Sequence, residues 1–189
     1  LAWSRGLGDV YKRQPMPEDI RRQLYGPERD QWRDHPHHLI SDARALQRNH
    51  RNLKRQARQY HGALTHMLEI ADAERKTDSS RQLFTTIGHH GRSLLRNLHS
   101  HHGFEDSSVF PMLRQHHPRL AAGFDILEQD HLALDALLAD IDQQLDHFPA
   151  LANDLQKLEN AHQKASELEA LLHRHMDDEE DIIVPIYLL

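Results

Sequence analysis

The chain is expected to be all-α, an antiparallel up-and-down four-helix bundle with a pseudo-twofold repeat of helix pairs. Three observations predict it. Along the first long stretch the stripe residues recur at spacings of three, four and seven, the period of a helix rather than a strand, and further long helical runs follow it. Pro and Gly are sparse after residue 37 and fall at places that read as punctuation. Two segments of the chain also repeat internally, so helix pairs are built alike.

In chain order, residues 1–14 stand apart. Asp9 to Gln14 read DVYKRQ, the translation of the end of a transposase adapter used in sequencing libraries, so this stretch is expected to be a scar. A natural disordered N-terminus is the alternative. Residues 15–36 are polar and carry four of the prolines with Gly26, and read as a mobile lead-in. Residues 37–189 form the domain. The first helix is expected from about His38 to Ile70, with Leu39, Ala43, Leu46, His50, Leu53, Ala57 and Leu64 on one stripe. The charged stretch 72–80 reads as a loop. The second helix runs from about Arg81 to Arg114, with Pro111 kinking it or ending its regular part near Phe110. His116, His117 and Pro118 make a turn. The third helix covers about Leu120 to His147. After a loop that starts at Phe148 and Pro149, Asp154 caps a fourth helix, which reaches about Val184 before Pro185 interrupts it.

Composition bounds the function. The 189 residues hold no Cys, which excludes disulfide scaffolds, thiolate-bound zinc, iron–sulfur clusters and thiol catalysis. No apolar run approaches the roughly 20 residues of a spanning helix, and no signal peptide is evident, so no membrane association and a cytoplasmic location are expected. A formal charge of -6 makes nucleic acid an unexpected partner. The outlier is histidine, with 18 residues, and imidazole is the commonest metal ligand.

The repeats concentrate that histidine. LHSHHGFEDSSVFP at 98–111 aligns without gaps on LHRHMDDEEDIIVP at 172–185, matching His101 with His175, Glu105 with Glu179, Asp106 with Glu180 and Pro111 with Pro185. LQRNHRNL at 46–53 aligns on LEQDHLAL at 127–134, matching His50 with His131. Each half thus supplies one lone His and one H-x-x-x-E. His and Glu at i and i+4 share a helical face, and Leu98 and Leu172 place that face inward. A buried carboxylate needs a cation or a proton.

Registry tests this independently. In antiparallel helices, residues at one height lie equally far from the turn between them. The midpoints of His50–His101, His101–His131 and His131–His175 fall near residues 75, 116 and 153, each on an expected turn. The expected metal ligands are therefore His50, His101, Glu105, His131, His175 and Glu179. Nitrogen and oxygen donors without thiolate suit iron, manganese or zinc. Six side chains exceed the four that close a structural zinc, and the facing carboxylates are placed to bridge two ions.

These residues resemble the hemerythrin-like, HHE cation-binding domains over roughly residues 37–189. The likeness is carried by NHRNL, HHGFEDSSVFP, DHLAL and HMDDEEDIIVP, with Pro six residues after each Glu. It implies two non-haem iron ions with an oxo or hydroxo bridge, held by the six residues above, with manganese or zinc as alternatives. It implies binding or sensing of O2, nitric oxide or iron, as in stress responses. His102 stands where some relatives use a carboxylate and is a supplementary candidate. Glu180 is an alternative to Glu179. Leu127 stands where oxygen carriers have a further His, which favours a sensor or store over a reversible carrier. A di-iron oxidase or peroxidase, or an iron-storage or iron-sensing bundle, are the competing functions, with a non-enzymatic binding role preferred.

The remaining histidines fit the site less well. His37 and His38 compete with His50, but the repeat favours His50. His99 and His173 point off the metal face. His61, His66, His89, His90, His147 and His162 have no register with the site and are expected to be solvent-facing or structural. Glu128–His131 and Glu159–His162 copy the ferritin-like E-x-x-H spacing but fall out of register.

Overall fold

The apolar stripe of the first helix decides its packing. In the computed structural model, which describes residues 16–189, α1 spans Ala43–Glu69. Ala43, His50, Leu53, Ala57, Tyr60, Leu64 and Met67 are all buried along it. The expected stripe is thus present, except that Leu39 is 68% exposed. It lies in a separate 3-10 turn, Pro36–Leu39, where Pro36 fixes the first φ and the His35 ring accepts from the His37 N–H. The adapter-like stretch 1–14 lies outside the described residues. Three further long helices follow: α2, Asp78–Phe104; α3, Ala121–Leu145; and α4, Leu155–Leu188. Among the described residues there is no strand, and no helix is long and apolar enough to cross a membrane.

The chain divides into two compact units. One comprises residues 16–52, 102–133 and 172–189; the other comprises 53–101 and 134–171. The core of the first joins Ile20, Phe110, Leu113, Phe124, Leu127, Ile182 and Ile183. A smaller cluster joins Trp32, Ala43, Val184 and Leu188. Burying each such side chain contributes about 1.5–3 kcal/mol, so these contacts anchor the lead-in. That segment, read from its prolines as mobile, is packed because Met16, Ile20 and Trp32 enter these clusters. The Trp32 indole N–H also donates to the Pro27 carbonyl at 2.9 Å.

Two local departures position the site. The second helix loses its regular form at Glu105, before Pro111. Residues Glu105–Val109 form a π-turn in which the Phe110 N–H donates to the Glu105 carbonyl, and Phe110–His116 resumes the α-helix. Pro111 has no N–H and its ring would crowd the carbonyl four residues back, and the widened turn accommodates it. At the other end, α4 does not stop near Val184 but runs through Pro185 to Leu188. Burial of Val184 and Leu188 against Trp32 and Ala43 offsets the bond Pro185 cannot make. Gly26 (φ +96°) crosses this turn so closely that a Cβ there would lie 2.9 Å from Pro185 Cβ. The start of α4 is as expected, with the Lys157 N–H donating to Asp154 Oδ1 at 3.1 Å.

In the second unit the rings of Tyr60, Phe84 and Phe148 meet, Phe148 lying 6.2 Å from Tyr60 and 6.3 Å from Phe84. Leu64, Leu94, Ile141 and Leu168 are buried with them. Gly91 sits where a Cβ would meet Leu145 and Tyr60 at 2.9 and 3.0 Å.

Candidate metal centre

The first unit gathers most of the expected ligands on inward helix faces. His50 comes from α1, Glu105 from the π-turn, His131 from α3, and His175 with Glu179 from α4. All are at most 2% exposed. His50, Glu105 and Glu179 form one group, whose nearest ligand atoms lie within 4.8 Å of one another. His102, His131 and His175 form a second with the same limit. Short distances link the two: His131 Nε2 is 3.5 Å from a Glu105 oxygen, and His175 Nε2 is 3.7 Å from Glu179 Oε2. His101 is buried one helical turn before Glu105 and is the last residue of the segment assigned to the other unit.

His102, expected only as a supplement, lies in the second group. Its ring stacks on His131 at 4.2 Å and meets His175 edge-on at 5.7 Å. Glu180, considered as an alternative to Glu179, instead faces the outer nitrogen of His50. Its Oε1 is 3.1 Å from His50 Nδ1, while Glu179 Oε2 is 3.2 Å from His50 Nε2. Gln47 and Arg29 both approach the other Glu180 oxygen at 3.4 Å.

The same pairing recurs in the other repeat. Asp106 Oδ1 is 2.8 Å from His131 Nδ1, with His131 Nε2 turned inward, 3.1 Å from His175 Nε2. Asp130, 1% exposed, lies more loosely at 3.8 Å from His175 Nδ1 and is held by the Arg174 guanidinium at 2.9 Å. His50 and His131 thus each have a carboxylate on Nδ1 and their Nε2 facing the interior, while Asp130 stays beyond hydrogen-bond reach of His175 Nδ1. A carboxylate on Nδ1 fixes the tautomer and raises the basicity of Nε2, the common support for metal-bound histidine. Asp106 and Asp130 are functional candidates that the sequence reading missed. The signal was an acid next in sequence to an expected ligand, Asp106 beside Glu105 and Asp130 beside His131.

Electrostatics argue for a cation. Burial alone would lower the His50 pKa, but Glu179 and Glu180 outweigh it and lift it to about 9. Burial, followed by the charge of Glu179 and then Asp106, pushes Glu105 well above the usual carboxylate range. Without a cation, protons must keep these buried carboxylates and imidazoles compatible. Divalent ions among the same nitrogen and oxygen atoms would replace those protons, and the donor set fits iron, manganese or zinc. Tyr187 belongs to this field: burial first, then Asp42, Glu179 and Glu105, push its hydroxyl up to about 12.

The competing histidines lie elsewhere. His37 Nδ1 contacts the Leu188 carbonyl, His38 Nε2 contacts Gln47, and His99 Nδ1 contacts the Leu95 carbonyl of its own helix. His89 and His90 are exposed. Of the ferritin-like pairs, Glu128 is engaged by Arg114 at 2.9 Å and Glu159 is exposed. Leu127 is fully buried in the apolar cluster with Phe110 and Phe124, and Phe110 stacks on His131 at 5.4 Å.

Comparison with known families agrees with this constellation: the pattern of the hemerythrin HHE cation binding domain matches residues 41–187. The chain belongs to the hemerythrin HHE family. The match covers all four long helices and every expected ligand. No curated protein and no solved structure matches the chain. Membership gives cation binding as the family property and leaves the ion, the ligand and the role to be argued from this chain.

Proposed function

We propose that this hemerythrin-family chain is a cytoplasmic di-iron protein that binds or senses O2 or a related small diatomic ligand. Its four long helices would pack as an antiparallel up-and-down bundle. The proposed ligands are His50, His101, Glu105, His131, His175 and Glu179, with His102 joining the His131–His175 side. One observation carries the reading: two adjoining buried donor groups, linked through Glu105 and Glu179, in a site whose own charges demand cations.

When bound, the iron pair would supply reversible redox chemistry and coordination positions for a small ligand. The chain's residues do the rest. Asp106 and Glu180 hold Nδ1 of His131 and His50, so that Nε2 of each faces inward. Phe110, Phe124 and Leu127 form the apolar wall that excludes water beside His131. Leu127 offers no donor, which favours sensing or storage over reversible carriage.

The test is an optical spectrum of the iron-loaded protein, recorded anaerobically, after aeration, and after oxygen is removed. A near-ultraviolet band that forms in air and persists once oxygen is removed supports a sensor or store. Reversion without added reductant would establish a carrier. A spectrum indifferent to air would remove the oxygen-linked reading.

A further inference from the structure

The second unit carries a histidine pair that the main centre does not use. His61 on α1 and His162 on α4 face each other with their Nε2 atoms 3.1 Å apart and ring centroids 4.7 Å apart. Glu169 Oε2 lies 2.8 Å from His61 Nδ1, and the Arg58 Nε approaches the other Glu169 oxygen at 3.3 Å. A third polar atom converges: Thr65 Oγ1 is 3.0 Å from His162 Nε2, while its own O–H donates to the His61 carbonyl at 3.1 Å.

We propose that His61 and His162 form an accessory site for a borderline divalent transition ion such as Zn2+, clipping α1 to α4. Glu169 accepts the His61 Nδ1–H, which puts the lone pair of that ring on Nε2, pointing at His162. Ion–nitrogen bonds of about 2.0–2.1 Å place two cis or tetrahedral nitrogens about 2.9–3.4 Å apart, and the pair already stands at that separation. The carboxylate behind His61 repeats the support seen at the main centre and balances part of the ion's charge. The Thr65 hydroxyl, with its proton engaged, offers an oxygen lone pair beside the ion position.

Access and chemistry agree with this. The His61 side chain is 24% exposed and His162 is partly buried, so an ion can enter from solvent and keep water in its remaining positions. Burial, followed by His61, lowers the His162 pKa, which keeps that ring neutral at physiological pH. Neutral imidazoles with one oxygen suit zinc, copper or nickel and not magnesium or calcium. The sequence could not show this, because residues 101 positions apart carry no motif; they had been read as solvent-facing or structural.

The experiment titrates Zn2+ against a chromophoric chelator into the wild-type protein, its own metal complement left in place. His61→Ala and His162→Ala are compared with it, and iron content is measured in all three. The wild type is expected to bind one more Zn2+ per chain than either variant, with iron unchanged. Glu169→Gln should weaken that step by about 10–100-fold. Equal zinc uptake by the wild type and both variants would overturn the proposal. Ring 15N resonances of the wild type keep the test open should a variant fail to fold. His61 and His162 Nε2 should shift together with one equivalent of Zn2+ and not with Mg2+, and signals unmoved at saturating Zn2+ would refute the site.

Discussion

Metal loading should be a proton-exchange reaction, and the structure fixes its approximate size. The His50 pKa is lifted to about 9, so at pH 7 the ring carries a proton in the metal-free chain. It must lose that proton to become a ligand. Two pKa units at about 1.4 kcal/mol each hold the affinity at pH 7 about 100-fold below its value for the fully deprotonated ring, from this ring alone. Glu105, held above the carboxylate range by burial and then by Glu179, pulls in the same direction. Apparent affinity for Mn2+, measured by chelator competition from pH 6 to pH 8.5, should rise about tenfold per pH unit for each proton displaced. Titration calorimetry in two buffers of different ionisation enthalpy should show at least one proton released per chain at pH 7. A flat affinity with no buffer dependence would refute the reasoning, because the buried charges would then be compensated some other way.

Further outcomes follow from the same geometry. A folded-state pKa raised above the unfolded value stabilises below the unfolded pKa and loses that contribution as pH rises through the folded one. His50 should therefore cost the metal-free protein up to about 3 kcal/mol between pH 6.5 and 9, read as a falling midpoint in urea, whereas the loaded protein should not follow that fall. Glu179→Gln removes the charge facing both His50 and Glu105, so it should cut metal content and, because Glu179 is the main cause of the raised His50 pKa, flatten the pH dependence of the metal-free protein's urea midpoint. A loss of stability without a loss of metal would make Glu179 a structural ion-pair partner only. Asp106→Asn should weaken metal binding by about 10–100-fold in chelator competition, with the His89→Ala control unchanged. Gly26→Ala, which forces a Cβ into the left-handed region and against Pro185, should lower stability by about 1–3 kcal/mol in thermal unfolding.

The parts of the fold legible in the sequence were those written as periodicity and punctuation. The buried stripe of α1 and the Asp154 cap follow from spacing and residue type alone, and the repeat of H-x-x-x-E marks Glu105, His175 and Glu179 because chemistry needs them on one face. Other features depended on contacts distant in sequence. Trp32 pins the lead-in through Val184 and Leu188, and α4 passes Pro185 because those contacts outweigh the missing bond. The π-turn at Glu105 arises before Pro111 rather than at it, which a proline rule cannot place. The carboxylates behind the imidazoles were half visible. Asp106 and Glu180 aligned in the repeat, but only the structure shows each reaching the lone His of another helix.

The most direct test of a dinuclear site is metal stoichiometry by mass spectrometry of the anaerobically iron-loaded protein, beside His50→Ala and His131→Ala. The account predicts two iron ions per chain in the wild type and the loss of at least one in each variant, while His89→Ala keeps both. One ion or none in the wild type, or two in every variant, would contradict it.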